Sequence, residues 1–265
     1  MRTKIIMEFP TSCYRPSRPD TPFLLAADID GTLLGDEQGA EWLKALAFAY
    51  PGSFYLALVT GRSLPSITVL IEEGRLPQPD FICCDVGTEL LVCADPQNVL
   101  GKKYTARVSP DWDLEKIYAL GEGEGVWRQE FPEGQPRFQA GFDWDGQAHT
   151  LAAFYDRLAS FQECYVLPSY QTYIDVLPLP LGKGKVVQFL QQELRLDPAR
   201  VVVAGDAGND LQMFETGYQG ILPVNARAEL KTAACAPWHY HSPLPAARGV
   251  LDGLKAFGFI EEVSG

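Results

Sequence analysis

Residues Leu24–Gly35 read LLAADIDGTLLG. The apolar run over 23–27 is followed at once by Asp28 and Asp30, then by Gly31 and Thr32. A short continuous apolar run suits a strand buried on both faces of a parallel sheet. In an open α/β sheet, ligands bind outside the carboxyl ends of such strands. The period of two sets both carboxylates on one side, up to the point where the chain turns at Gly31.

Three further runs end in the same way. SFYLALVTG (53–61) leads into Thr60-Gly61-Arg62-Ser63, DFICCDVGTELLV (80–92) contains Asp85-Val86-Gly87-Thr88-Glu89, and RVVVAGD (200–206) leads into Gly205-Asp206-Ala207-Gly208-Asn209-Asp210. Helical patterns at 41–50 and 63–73 separate the first three runs, and another at 184–196 precedes the fourth. This alternation predicts an α/β fold, a doubly wound, Rossmann-like parallel sheet with helices on both faces. The stretch 106–178 is different: it carries Trp112, Trp127 and Trp144 and the turn-rich pieces GEGEG and PEGQP. A helix over 147–161 and strands over 137–144 and 164–178 are expected there. The predicted organisation is an extension at 1–20, a core built from 21–105 and 179–265, and a smaller α+β unit at 106–178 inserted into it.

The net charge of -12 argues against a nucleic-acid-binding surface. No run approaches the roughly 18 apolar residues of a membrane helix. The only apolar run near the start is IIM, too short for a signal-peptide core. The six cysteines show no CxxC spacing, so reduced thiols and a cytoplasmic, monomeric protein are expected.

Five or six carboxylates gathered at the strand ends are costly unless cations neutralise them. A hard divalent ion with oxygen ligands, Mg2+, is the natural occupant. Asp28 is then placed to attack phosphorus and Asp30 to shuttle a proton. Thr60 offers a hydroxyl and Gly61 and Arg62 offer backbone N–H groups at a strand-to-helix turn, where anions are favoured. Lys183, in LPLGKGKVV just before a helix, could hold both a phosphate and Asp28. The GKGK segment lacks the first Gly and the Ser/Thr of a P-loop, and GEGEGV lacks the last Gly of a dinucleotide fingerprint. His149, His239 and His241 are scattered, and no further ligands accompany the HYH segment.

The ordered set Asp28-x-Asp30-Gly31-Thr32, Thr60-Gly61-Arg62-Ser63, Lys183-Gly184 and Gly205-Asp206-x-Gly208-Asn209-Asp210 resembles the four motifs of the haloacid dehalogenase superfamily of phosphatases. The resemblance implies Asp28 as nucleophile, Asp30 as acid/base, and Mg2+ held by Asp28, the backbone carbonyl of Asp30, and Asp206. It further implies that Asp210 orients the metal's water shell and that Asn209 helps hold the phosphate. The long insertion is similar to a type C2B cap. DVGTELL, YIDVLPLPLGKGKVVQFL and VVVAGDAGNDLQMFE look like the sucrose-phosphate phosphatase group, to which mannosylfructose-phosphate phosphatases also belong. Three features depart from that group: Gly31 stands where Asn or His is frequent, Ala207 stands where Ser is frequent, and PRFQAGFDWD lacks a Lys-x-Ser pattern.

By this resemblance Glu89, Asp175 and Gln139 are candidates to bind sugar hydroxyls. Trp112, Trp144 and Tyr170 are candidates to stack on sugar rings. The expected activity is hydrolysis of a disaccharide monophosphate such as sucrose 6-phosphate. Mannosylfructose phosphate and glucosylglycerol phosphate are alternative substrates. A sugar phosphomutase and a non-catalytic sugar-phosphate-binding domain paired with a synthase are the rival functions.

Overall fold

The computed structural model describes residues 13–263 apart from 19, 162, 170 and 171. Phe23–Ala27, buried along its whole length, runs through the middle of a seven-stranded sheet. The strand order is His239–His241, Gln219–Leu222, Val201–Ala204, Phe23–Ala27, Phe54–Val59, Phe81–Cys84, Glu89–Val92. All neighbours are parallel except the last pair. Alternate residues of the central strands face opposite layers. Leu25, Ala27, Leu56 and Leu58 pack with Leu43, Leu46, Ile67, Val250 and Leu254 on one side. Leu24, Ala26, Ala57, Val59 and Val203 pack with Val186, Val187 and Leu190 on the other. Each such aliphatic side chain taken fully out of water contributes about 1.5–3 kcal/mol. The expected doubly wound arrangement is present, with the sheet mixed rather than wholly parallel.

The mixed edge comes from the third apolar run. It ends as a strand near Asp85, as expected, and turns at Asp85, Val86 and Gly87, whose φ values are 51°, 58° and 74°. Three successive left-handed residues reverse the chain, and Glu89–Val92 returns antiparallel to Phe81–Cys84. A β-branched residue such as Val86 is strained in this region. Its side chain is nevertheless buried with Leu167 and Leu177 of the second unit.

That second unit is a four-stranded antiparallel sheet in the order Val126–Arg128, Ala140–Trp144, Tyr173–Pro178, Cys164–Ser169. Phe142, Trp144, Ile174 and Val176 pack on one face against Ile117, Phe154 and Leu158 from two helices. The expected strand over 164–178 is a hairpin. Its Tyr170 lies outside the described residues. Trp144 is buried in this unit's core, and Trp112 packs edge-on against Phe161, ring centres 5.7 Å apart.

The expected N-terminal extension needs correction over its described part. Tyr14–Pro16 is a strand paired antiparallel with Ile260–Glu262. Residues 1–12 lie outside the described ones. Among the described residues, no helix is long and apolar enough to cross a membrane. All six cysteines are free thiols. Burial raises the Cys83 and Cys84 thiols far above their ordinary range.

Candidate active site

The polar ends of four core strands meet at one edge of the sheet. Asp28 follows its strand directly, and its N–H donates to Ala204 O at 3.0 Å. That bond fixes Asp28 against the strand that leads into Asp206. Between the two carboxylates lies Gly31, with φ +75°. A Cβ there would stand 2.4 Å from Asp206 Oδ2, so a side chain at this position would displace that carboxylate and be strained at this φ. The Asn225 side-chain amide donates to Gly31 O at 2.7 Å and so holds the turn.

Lys183 opens the helix Lys183–Glu193 and is almost fully buried. Its Nζ donates to Asp28 Oδ1 at 2.8 Å and to Asp210 Oδ1 at 2.6 Å. The other oxygen of Asp210 accepts the backbone N–H groups of Asp206, at 2.9 Å, and of Ala207, at 3.0 Å. Asp210 therefore ties the last loop to the lysine. Carboxylate oxygens of Asp28, Asp206 and Asp210 all lie within 4.8 Å of one another. This trio could hold a metal ion.

Asp30 and Asp210 sit differently with respect to this trio. The Asp30 carboxylate turns away from the trio into a bidentate pair with Arg62, Nε to Oδ2 and Nη2 to Oδ1 both at 2.7 Å. Arg62 also donates from Nη1 to Ser66 Oγ at 2.7 Å, so its side chain is fully engaged. Asp210 joins the carboxylate trio itself.

Thr60 is buried, and its Oγ1 accepts the Arg62 N–H at 3.2 Å. Ser63 caps the next helix and donates its hydroxyl to Glu133, on a loop of the smaller unit. A Cβ at Gly61 would lie 3.7 Å from Asn209 Nδ2 and 3.9 Å from Val86 Cγ2, so these three residues adjoin. Asn209 Oδ1 is buried with no partner.

One ammonium among three buried carboxylates leaves the cluster short of positive charge. Burial pushes Asp28 up to about 7, with Asp210 and Asp206 adding to the shift and Lys183 opposing it. Burial and Asp210 push Asp206 up to about 7 as well. Burial alone would depress Lys183, but the Asp210 and Asp28 carboxylates outweigh it and hold the ammonium above its ordinary range. Such a cluster favours a bound cation, which would offset the carboxylate repulsion.

The remaining predicted residues lie on the smaller unit and the turn below it. Gln139 Nε2 donates to Asp175 Oδ1 at 2.7 Å, both side chains are buried, and Gln139 Oε1 has no partner. Burial raises Asp175 to about 6, against the Gln139 hydrogen bond and the charge of Lys183. Burial also raises Glu89, against the charge of Arg137. His149 is exposed, His239 packs edge-on to Phe214, and His241 contacts Ala234 O, so the histidines take no part in the site. No local signal marks Asn225, or Gln212, which accepts the Gly184 N–H at 2.8 Å, or Tyr104, whose hydroxyl meets Gly87 and Gly182.

The sequence model of sucrose-6F-phosphate phosphohydrolase matches residues 21–258. The chain belongs to that family. It is a phosphatase of the haloacid dehalogenase superfamily. Among its relatives, a mannosylfructose-phosphate phosphatase from Agrobacterium fabrum is 32% identical over 246 residues, covering 89% of this chain and 96% of the relative. A glucosylglycerol-phosphate synthase from Pseudomonas anguilliseptica is 32% identical over 240 residues, covering 89% of this chain but only 31% of the synthase. In three dimensions the chain resembles the sucrose-phosphatase of Synechocystis sp., solved in complex with sucrose and phosphate. The TM-score is 0.82 and the identity 29%, covering 90% of this chain and 99% of the other.

Proposed function

We propose that this phosphatase hydrolyses the monophosphate ester of a disaccharide, with sucrose 6-phosphate first and mannosylfructose phosphate and glucosylglycerol phosphate as alternatives, and that it requires Mg2+. The observation that carries this reading is the Lys183 ammonium shared between Asp28 and Asp210, with Asp206 completing the carboxylate trio. Asp28, Asp206 and the main-chain carbonyl of Asp30 are the donors we assign to the ion. When bound, Mg2+ would offset the repulsion between the phosphate and these carboxylates.

Asp28 Oδ attacks phosphorus in line with the leaving sugar oxygen and forms an aspartyl-phosphate. Lys183 steadies Asp28 and the incoming phosphate charge. Thr60, the N–H groups at 60–62 and Asn209 bind phosphate oxygens. Asp30 gives its proton to the departing sugar oxygen and afterwards takes one from the attacking water. The bidentate pair with Arg62 holds Asp30 between turnovers and must open for Asp30 to carry the proton, since it engages both carboxylate oxygens. The smaller unit serves as a cap, and its Gln139, Asp175 and Arg137 with Glu89 below are the groups we assign to the sugar hydroxyls. A synthase making the same sugar phosphate is the partner class we favour, since a matching segment forms part of the Pseudomonas anguilliseptica chain.

The test is phosphate release from sucrose 6-phosphate, mannosylfructose phosphate, glucosylglycerol phosphate, trehalose 6-phosphate and glucose 6-phosphate, with Mg2+ or EDTA. Preference for one disaccharide phosphate, lost with EDTA, is the expected result. Formation of an isomeric sugar phosphate instead of free phosphate would make the enzyme a mutase. In Asp28→Asn the fold should persist, with kcat lowered by at least about 10³-fold. Near-normal turnover in that variant would remove the aspartyl-phosphate route.

A further inference from the structure

Tyr104 lies near the end of the helix Val99–Thr105, which packs on the edge strand Glu89–Val92 of the core. It is fully buried, yet its hydroxyl does not reach the carboxylate trio. The hydroxyl donates to Gly87 O at 2.9 Å and accepts the Gly182 N–H at 3.2 Å. Gly182 N–H also points at Gly87 O, at 3.3 Å. One phenol oxygen thus fastens together two backbone turns that belong to different parts of the chain.

Both turns bear directly on Lys183. Gly182 is the residue before it, with φ +126°. Gly87 lies so close to it that a Cβ there would stand 2.7 Å from the Lys183 backbone nitrogen. The residue after Lys183 is held as well, since Gly184 N–H donates to Gln212 Oε1 at 2.8 Å. The Tyr104 ring packs on Phe189 of this helix, centres 5.1 Å apart, so hydroxyl and ring grip the helix at two levels. Burial raises the phenol far above its ordinary range, which keeps the proton needed for donation to Gly87.

We infer that Tyr104 is a positioning residue for Lys183: its hydroxyl sets the backbone from which the lysine reaches Asp28 and Asp210. It touches neither substrate nor metal ligand. The inference rests on the phosphatase reading only for its kinetic consequence. Its structural consequence, a fixed ammonium, can be read without any substrate.

Tyr104→Phe removes the hydroxyl's hydrogen bonds to Gly87 and Gly182 and keeps the ring on Phe189. In 15N-labelled protein, the buried Lys183 ammonium signal, assigned by its loss in Lys183→Arg, should shift or broaden in Tyr104→Phe. Turnover of p-nitrophenyl phosphate and of the sugar phosphate should fall by the same factor, about tenfold, since displacement of a reacting group by about 1 Å costs up to ~100-fold. Combined with Lys183→Arg, the loss should be clearly less than additive, because both changes act through one group. Phe189→Leu, which disturbs the same packing without touching a hydrogen bond, should lower the melting temperature while sparing kcat/KM.

An unchanged ammonium signal in Tyr104→Phe would overturn the inference. So would full additivity with Lys183→Arg, a loss confined to the sugar substrate, or equal kinetic damage from Phe189→Leu. Failure of Tyr104→Phe to fold would also count against it, since the hydroxyl would then serve stability. Should the wild-type protein release no phosphate from any ester, the phosphatase reading falls, while the ammonium signal still decides the role of Tyr104.

Discussion

Gly31 and Asp206 meet with no room for a side chain between them: a Cβ on Gly31 would stand 2.4 Å from Asp206 Oδ2. The contact lies inside the carboxylate trio, so any atom added there displaces a proposed metal ligand. Gly31→Ala adds the strain of a left-handed alanine, of the order of 1 kcal/mol. The expected outcome is a melting temperature lowered by only a few degrees and a Mg2+ requirement moved to at least about tenfold higher concentration, since a 1.4 kcal/mol loss is tenfold in binding. Titration of activity with Mg2+ checks this. An unchanged midpoint would mean that Asp206 can move aside without cost.

Mg2+ should stabilise the protein without substrate. A ligand that binds only the folded state adds about 2.7 kcal/mol at a concentration 100 times its Kd. Thermal melts with increasing Mg2+ should therefore rise, and Asp206→Asn should flatten the response. The variant without metal should melt at or above the wild-type temperature, because it removes one buried negative charge from a crowded set. A Mg2+-dependent rise that survives in Asp206→Asn would remove that residue from the metal site.

Asp175 gives a pH dependence that can be read in stability. Burial raises it from 3.8 to about 6, so the folded state holds its proton more tightly than the unfolded chain. The stabilisation is present in full below pH 3.8 and is lost as pH rises to about 6. Above that, the buried carboxylate costs up to roughly 3 kcal/mol. Asp175→Asn, which keeps an oxygen to accept from Gln139, should stabilise the protein by about 1 kcal/mol more at pH 8 than at pH 5. Chemical denaturation at the two pH values measures this. The same variant should lose turnover of the sugar phosphate more than of p-nitrophenyl phosphate.

Much of the site was legible because local sequence carries its chemistry. Asp28, Thr60 and Asp206 each follow a buried strand, and the strand ends fix where they meet. Lys183 was legible as the lysine opening a helix. The antiparallel return of the third run after Asp85 was not, because no residue preference announces a left-handed Val86. Its conformation is held from outside, by Leu167 and Leu177 of the other unit. The same limit hid Tyr14–Pro16, whose partner strand is far along the chain. Tyr104, Gln212 and Asn225 act by binding backbone atoms of distant turns, and a sequence does not reveal which carbonyl a side chain will find. The engagement of Asp30 by Arg62 was open to neither periodicity nor spacing, since it depends on how far a rotamer swings at the rim.

The Tyr104 hydroxyl has one more consequence, for evolution. The chain leaves the core just after Tyr104 and comes back just before Gly182, and these two residues are hydrogen-bonded to each other. This bond joins the two places where the chain crosses between the core and the four-stranded unit, which also meets the core where Val86 packs with Leu167 and Leu177 and where Ser63 donates to Glu133. A lineage could exchange that unit as a block if it kept this junction and the partners of Val86 and Ser63, while the aspartates and the lysine stayed as they were. Chimaeras cut at this seam, with the insert of a relative that acts on a different sugar, are the natural route to altered substrate choice.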